Sequence, residues 1–107
     1  MSEFIVVFIT TPTPIEGEKI ASILVEERLA SCVNIVNTIS SVYRWEGKIE
    51  KTNEALLIIK TKAENFTQLM TKVKEVHSYK VPEIIALPII SGNEDYLKWV
   101  REETCSF

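Results

Sequence analysis

A strand, helix, strand, strand, helix, strand order predicts an α+β fold for this chain, a ferredoxin-like βαββαβ sandwich with an extended central hairpin and a short C-terminal helix. Apolar runs rich in β-branched and aromatic residues alternate with helical segments that open on capping residues. The stretch Val33 to Lys60 reads as two unusually long strands folded back on each other at Glu46-Gly47-Lys48. Pro88 interrupts the last apolar run, and because proline cannot donate to a ladder it marks that run as an edge strand.

Phe4 to Thr10 is a run of aromatic and β-branched residues ending at Thr11-Pro12-Thr13-Pro14, as a buried central strand followed by a turn requires. Thr13 and Glu16 have the spacing of a capping box, and Pro14 falls at the first helical position, where its missing N–H is no loss. A helix from Pro14 to Ala30 rests on these caps and on composition, since Ile20, Ile23, Leu24, Val25 and Leu29 form no single stripe. In the hairpin, strands of roughly thirteen residues span about 43 Å, against about 33 Å for the diameter of a compact chain of this length. The tip therefore projects. It carries Val42, Tyr43, Trp45 and Ile49, large apolar groups that a lone subunit leaves wet, which predicts self-association. A loop of Glu46-Gly47-Lys48 sets Trp45 opposite Ile49 and Arg44 opposite Glu50.

Thr61 and Glu64 repeat the capping-box spacing, and Phe66, Leu69, Met70, Val73, Val76 and His77 then recur at three- and four-residue intervals, an amphipathic helix closed by Pro82. Ile84 to Ile90 is the edge strand and Asn93 to Glu102 the final helix. This plan puts the first and third strands at the centre of the sheet and leaves the second as an open edge.

A length of 107 residues predicts one domain, 1–107, and 46% hydrophobic content is ample for its core. The net charge of -3 forms no basic stripe, so nucleic acid is not an expected partner. Met1-Ser2-Glu3 lacks the positive region of a signal peptide and Phe4 to Ile9 is too short to span a bilayer, which predicts a cytoplasmic chain without membrane contact. Cys32 and Cys105 belong to no Cys-x-x-Cys pair; Cys32 reads as a small buried hydrophobe and Cys105 as part of a flexible tail, Cys105-Ser106-Phe107.

Three blocks resemble the CutA divalent-cation tolerance family over nearly the whole chain: Arg28-Leu29-Ala30-Ser31-Cys32-Val33-Asn34, Ser41-Val42-Tyr43-Arg44-Trp45-Glu46-Gly47-Lys48-Ile49, and Tyr79-Lys80-Val81-Pro82-Glu83-Ile84 with Tyr96-Leu97-Lys98-Trp99. The resemblance implies a compact, stable homotrimer whose long hairpins pack between subunits, a shape related to the PII signalling proteins, cytosolic residence in prokaryotes, and a link to copper and other divalent cations. Ser78 stands where family members usually place Pro, which predicts a less rigid approach to Tyr79. The copper ligands that the resemblance implies map to Ile9, Val76 and His77, so only His77 keeps a metal-binding side chain.

His77, the only histidine, is either a capping or packing residue or, together with Cys32, part of a metal site for copper or another divalent cation. Tyr43, Trp45, Lys60, Tyr79, Glu83 and Trp99 are the interface or pocket candidates, with a cleft of Lys60, Glu83 and His77 as a candidate small-ligand pocket and Glu54 and Asp95 as further polar groups. Catalysis is not expected. There is no nucleophile elbow, and the loop Thr10 to Pro14, with no Gly and two prolines, makes a poor phosphate cradle for an acyl phosphate hydrolase. The leading reading is a non-enzymatic homotrimer that responds to or binds metal ions. The alternatives are a PII-like signalling trimer holding a small anionic metabolite between subunits, and an assembly module for another chain that uses the aromatic hairpin and the tail.

Overall fold

The computed structural model describes residues 2–106. The elements are β1 (Phe4–Thr11), α1 (Pro14–Glu26), β2 (Cys32–Trp45), β3 (Lys48–Lys62), a turn of 3₁₀ helix over Ala63–Asn65, α2 (Phe66–Val76), β4 (Ile84–Pro88) and α3 (Glu94–Glu103). The four strands form one antiparallel sheet in the order β2-β3-β1-β4, so β1 and β3 are central and Pro88 ends an edge strand, as expected. Alternation along β1 and β3 sends Val7, Ile9, Leu57 and Ile59 to one face, where they pack with Ile20 and Leu24 of α1 and Leu69 and Val73 of α2. Gly17 lets α1 approach closely: a Cβ there would lie 3.1 Å from Leu57 and 3.2 Å from Thr11.

The hairpin is as long as expected, and the molecule measures 44 × 25 × 22 Å. Its turn differs from expectation. Trp45 pairs with Lys48 and Arg44 with Ile49, a loop of two residues instead of three. Glu46 and Gly47 both have positive φ, at 50° and 79°, the backbone of the primed two-residue turns that suit twisted strands. Between Val36 and Ile39, β2 carries one extra residue against β3. Residues directly opposite in a ladder share a face, so this bulge places Ile39, Ser41, Tyr43 and Trp45 on the same side as Cys32, Asn34 and Val36.

Helix α1 stops at Glu26, short of the expected Ala30, because Arg28 takes a left-handed conformation with φ of 60°. Leu29 N–H donates to Leu24 O and Arg28 N–H to Val25 O, the bond pair of a Schellman motif. The Arg28 guanidinium donates to the carbonyls of Glu102 and Glu103 and so caps the end of α3. Cys105 is docked rather than flexible: its N–H donates to Arg28 O at 2.8 Å and its thiol contacts Glu27 O. Phe107 lies outside the described residues.

The expected capping box at Thr61 and Glu64 does not form. Strand β3 runs on to Lys62, and the Thr61 hydroxyl donates to Leu29 O at 2.6 Å, so the chain enters α2 through the 3₁₀ turn with no side-chain cap. The final helix expected over Asn93 to Glu102 is α3, with Asn93 as its cap, accepting from Asp95 and Tyr96 N–H. Helix α3 packs on the sheet face opposite α1 and α2, through Leu97 and Val100 against Phe4. The remainder of that face is uncovered. There Val6, Phe8, Leu56 and Ile58 are half-buried while Ile85 and Leu87 are 50% and 48% exposed.

Candidate functional site

The segment after α2 is tied to the rest of the fold by polar contacts. His77 ends α2, and its side chain is fully buried. The Nε2–H donates to Thr10 O at 2.7 Å, and Nδ1 accepts the Tyr79 N–H at 2.9 Å. A carbonyl can only accept and an amide N–H can only donate, so these partners define a neutral imidazole protonated on Nε2. Glu16 Oε2 accepts both the N–H and the hydroxyl of Ser78 at 2.9 Å and lies 3.5 Å from Nδ1. Proline at position 78 would forfeit both bonds. The approach to Tyr79 is therefore anchored, in place of the looser turn expected from Ser78. In the Thr13 capping box only one half forms: Glu16 N–H donates to Thr13 Oγ1, and the Glu16 carboxylate reaches Ser78 instead.

Tyr79, thus positioned, stacks near His77 with ring centroids 5.0 Å apart and donates its hydroxyl to Glu54 Oε2 at 2.9 Å. Burial, and next the Glu54 carboxylate, push the Tyr79 phenol well above its ordinary pKa. Glu54 is only 8% exposed, and among the described residues no cation lies within ion-pair distance of it. Beside this pair runs a groove of about 610 Å³ between the hairpin and the Tyr79–Glu83 segment, lined by Tyr43, Trp45, Glu54, Tyr79, Lys80 and Glu83 among others. The bulge in β2 is what turns Tyr43 and Trp45 toward it.

Four of the six pocket candidates, Tyr43, Trp45, Tyr79 and Glu83, thus meet in one groove. Lys60 and Trp99 do not. Lys60 sits in the row Cys32–Lys60–Val6 and donates to Asn34 Oδ1, and Trp99 is an exposed residue of α3 with its ring 5.5 Å from that of Tyr96. The expected cleft of Lys60, Glu83 and His77 is not assembled, because His77 is sealed behind Tyr79 and Lys60 belongs to the other end of the sheet. Cys32 is half-buried beside Tyr96, whose phenol is raised by burial and then by that thiol.

Nor do Cys32 and His77 meet. Val6, in the Cys32 row, and Thr10, which His77 contacts, lie four residues apart along β1, about 13 Å, with Cys32 a further two strands across. With both ring nitrogens of His77 engaged, a metal could bind there only by displacing the Tyr79 amide. Among the described residues no three His, Cys, Asp or Glu side chains gather to hold a metal ion. A single subunit therefore does not fit the implied copper site.

A family model described as CutA1 divalent ion tolerance protein matches residues 5–103. The chain belongs to the CutA1 divalent ion tolerance family. It is 52% identical over 99 residues to the divalent-cation tolerance protein CutA of Thermus thermophilus, covering 92% of this chain and 96% of that one. The chloroplastic protein CutA of Arabidopsis thaliana is 49% identical over 100 residues, and the match covers 94% of this chain but 55% of that longer protein. The crystal structure of CutA1 from Oryza sativa superposes with a TM-score of 0.96 at 46% identity, over 99% of this chain and 97% of that one. Membership of the CutA1 family accounts for the fold and for the three sequence blocks, of which the second and third furnish most of the groove. Glu16, Thr10 and Ser41 were not legible as part of that region; for Glu16 the one available signal, its spacing from Thr13, pointed to a helix cap.

Proposed function

We propose that this chain acts as a homotrimer in the response to divalent metal ions, without catalysing a reaction, and that it works in the cytoplasm. The observation that carries this reading is the uncovered sheet face, where Val6, Phe8, Ile58, Ile85 and Leu87 continue into Tyr43 and Trp45 at the projecting tip. An apolar surface of this extent is rare on a lone subunit and typical of one that another copy covers. Three-fold association agrees with the family resemblance. Copper or another divalent cation enters as the signal for which the family is named, and a direct site requires ligands pooled from more than one subunit, with Cys32 as the available thiol. No helix of the described residues is long and apolar enough to cross a membrane.

The PII-like alternative, a small anionic metabolite held between subunits, is less well supported, because the groove sets two carboxylates, Glu54 and Glu83, against one ammonium, Lys80. Light scattering of dilute protein tests the assembly. The expected mass is three times 12.2 kDa, about 37 kDa. A folded particle of 12.2 kDa overturns the trimer. Calorimetric titration with Cu(I), Cu(II) and Zn²⁺ tests direct binding, which an absence of heat with all three removes.

A further inference from the structure

We infer that Glu54 receives its counter-charge from a second copy of this chain: Lys48, at the hairpin tip of one subunit, pairs with Glu54 of the next, an interaction that rests on the homotrimer proposed above. An odd-membered ring cannot be closed by one patch facing itself, so each interface joins two different surfaces of the chain. Two apolar surfaces lie uncovered, the tip with Tyr43 and Trp45 and the sheet face with Val6, Phe8, Ile58, Ile85 and Leu87. The tip outreaches its own subunit. What it meets in a closed ring is therefore the sheet face of its neighbour.

Charge decides how the two surfaces match. Residues opposite in the ladder share a side, so Trp45 with Lys48, Tyr43 with Glu50 and Ile39 with Glu54 lie on the uncovered side of the ribbon, while Arg44 and Lys51 lie on the other. Lys48 is thus the one cation that the described residues of the tip offer on that side. It cannot serve Glu54 of its own chain, six residues along β3 and about 20 Å away. Glu54 stands where the ribbon leaves the sheet, since β1 pairs with β3 only as far as Ala55. Its carboxylate is more than nine-tenths buried, accepts the Tyr79 hydroxyl at Oε2 and has no cation within ion-pair distance among the described residues. A buried carboxylate so placed is costly to desolvate, and an ammonium group brought in from outside offsets that cost. The other cations on that side of β3 are engaged: Lys60 donates to Asn34, and Lys62 is sealed between Ser106 and Glu64. Tyr79 is held in advance by its amide bond to His77 and by the adjacent Ser78–Glu16 bonds, so the acceptor is fixed before a neighbour arrives.

Subunit exchange between unlabelled and isotope-labelled full chain, followed by native mass spectrometry, tests the pairing. Glu54→Gln, which keeps an acceptor for the Tyr79 hydroxyl, should speed exchange about tenfold or more, and so should Lys48→Gln, at an exposed position that the isolated fold does not need. The double variant should exchange no faster than the faster of the two, because either change removes the same pair. Lys51→Gln, on the other side of the ribbon, should exchange as wild type does. Accelerations that multiply in the double variant, or a wild-type rate in Lys48→Gln, would overturn the pairing while the trimeric mass stands. A single-subunit mass for the wild-type protein would overturn the trimer and the pairing with it.

Discussion

On the helix-covered face of the sheet Val7, Ile9, Leu57 and Ile59 are fully buried, whereas on the opposite face Ile85 and Leu87 stay about half exposed although the residue types are alike. The difference lies in what each face meets. Two amphipathic helices close the first, and α3 closes only the Phe4 end of the second. Apolar composition along a strand therefore reports that a surface is to be covered, without saying whether the cover comes from the same chain. The polar groups divide in the same way: the uncovered side carries Glu54 and Lys60, while Thr11 and Thr61 on the covered side have no titrating group.

The largest effect that would test this contrast is expected from paired substitutions. Leu57→Ala should cost about 2–5 kcal/mol through the cavity it leaves, at any protein concentration. Leu87→Lys should leave the isolated subunit nearly as stable but reduce the assembled mass, and its melting temperature should no longer rise with protein concentration. Denaturant midpoints at two concentrations, with light scattering, check both; equal behaviour of the two variants would break the comparison. Trp45→Ala comes next. Its side chain is 52% exposed in the subunit, so a loss of roughly 3 kcal/mol per subunit is expected only where another copy buries it. An unchanged melting temperature would place Trp45 outside any interface.

The smallest effect is electrostatic. Tyr79 has its phenol pKa raised in the folded protein, above an unfolded value of about 10. The folded state thus holds that proton more tightly, and the stabilisation is complete below pH of about 10 and is lost as pH rises through the folded value. Alkaline denaturation of wild type and Tyr79→Phe should show a shallower decline for the variant; parallel curves would show that Tyr79 does not contribute.

Element types were legible because the local signals are strong. Thr13-Pro14 and Asn93 cap helices, Phe66 to Val76 has helical period, and Pro88 belongs at an edge. Two of the misread boundaries, the hairpin turn and the end of α1, involve backbone that non-glycine residues seldom adopt. Glu46 and Arg28 both have positive φ, and nothing in a glutamate or an arginine announces it. The site was legible as a set of residues but not as a place. Tyr79 finds Glu54 at 25 residues' separation and Ser78 finds Glu16 at 62, and neither pairing leaves a periodic trace. The metal reading joined Cys32 to His77 by residue type alone, and the register of β1, β2 and β3 holds them apart.

The surplus residue between Val36 and Ile39 acts as a change of parity. Upstream of it the even-numbered side chains of β2 look one way, and downstream the odd-numbered ones do. Deleting one position there would remove the bulge and restore plain alternation with the pairs on both sides of it kept, so Tyr43 and Trp45 would stay on the side of Glu54. The extra residue thus governs how sharply the ribbon bends and twists, and Asn37 and Thr38 are where natural variation or an engineer could re-aim the projecting tip without changing which side chains it presents.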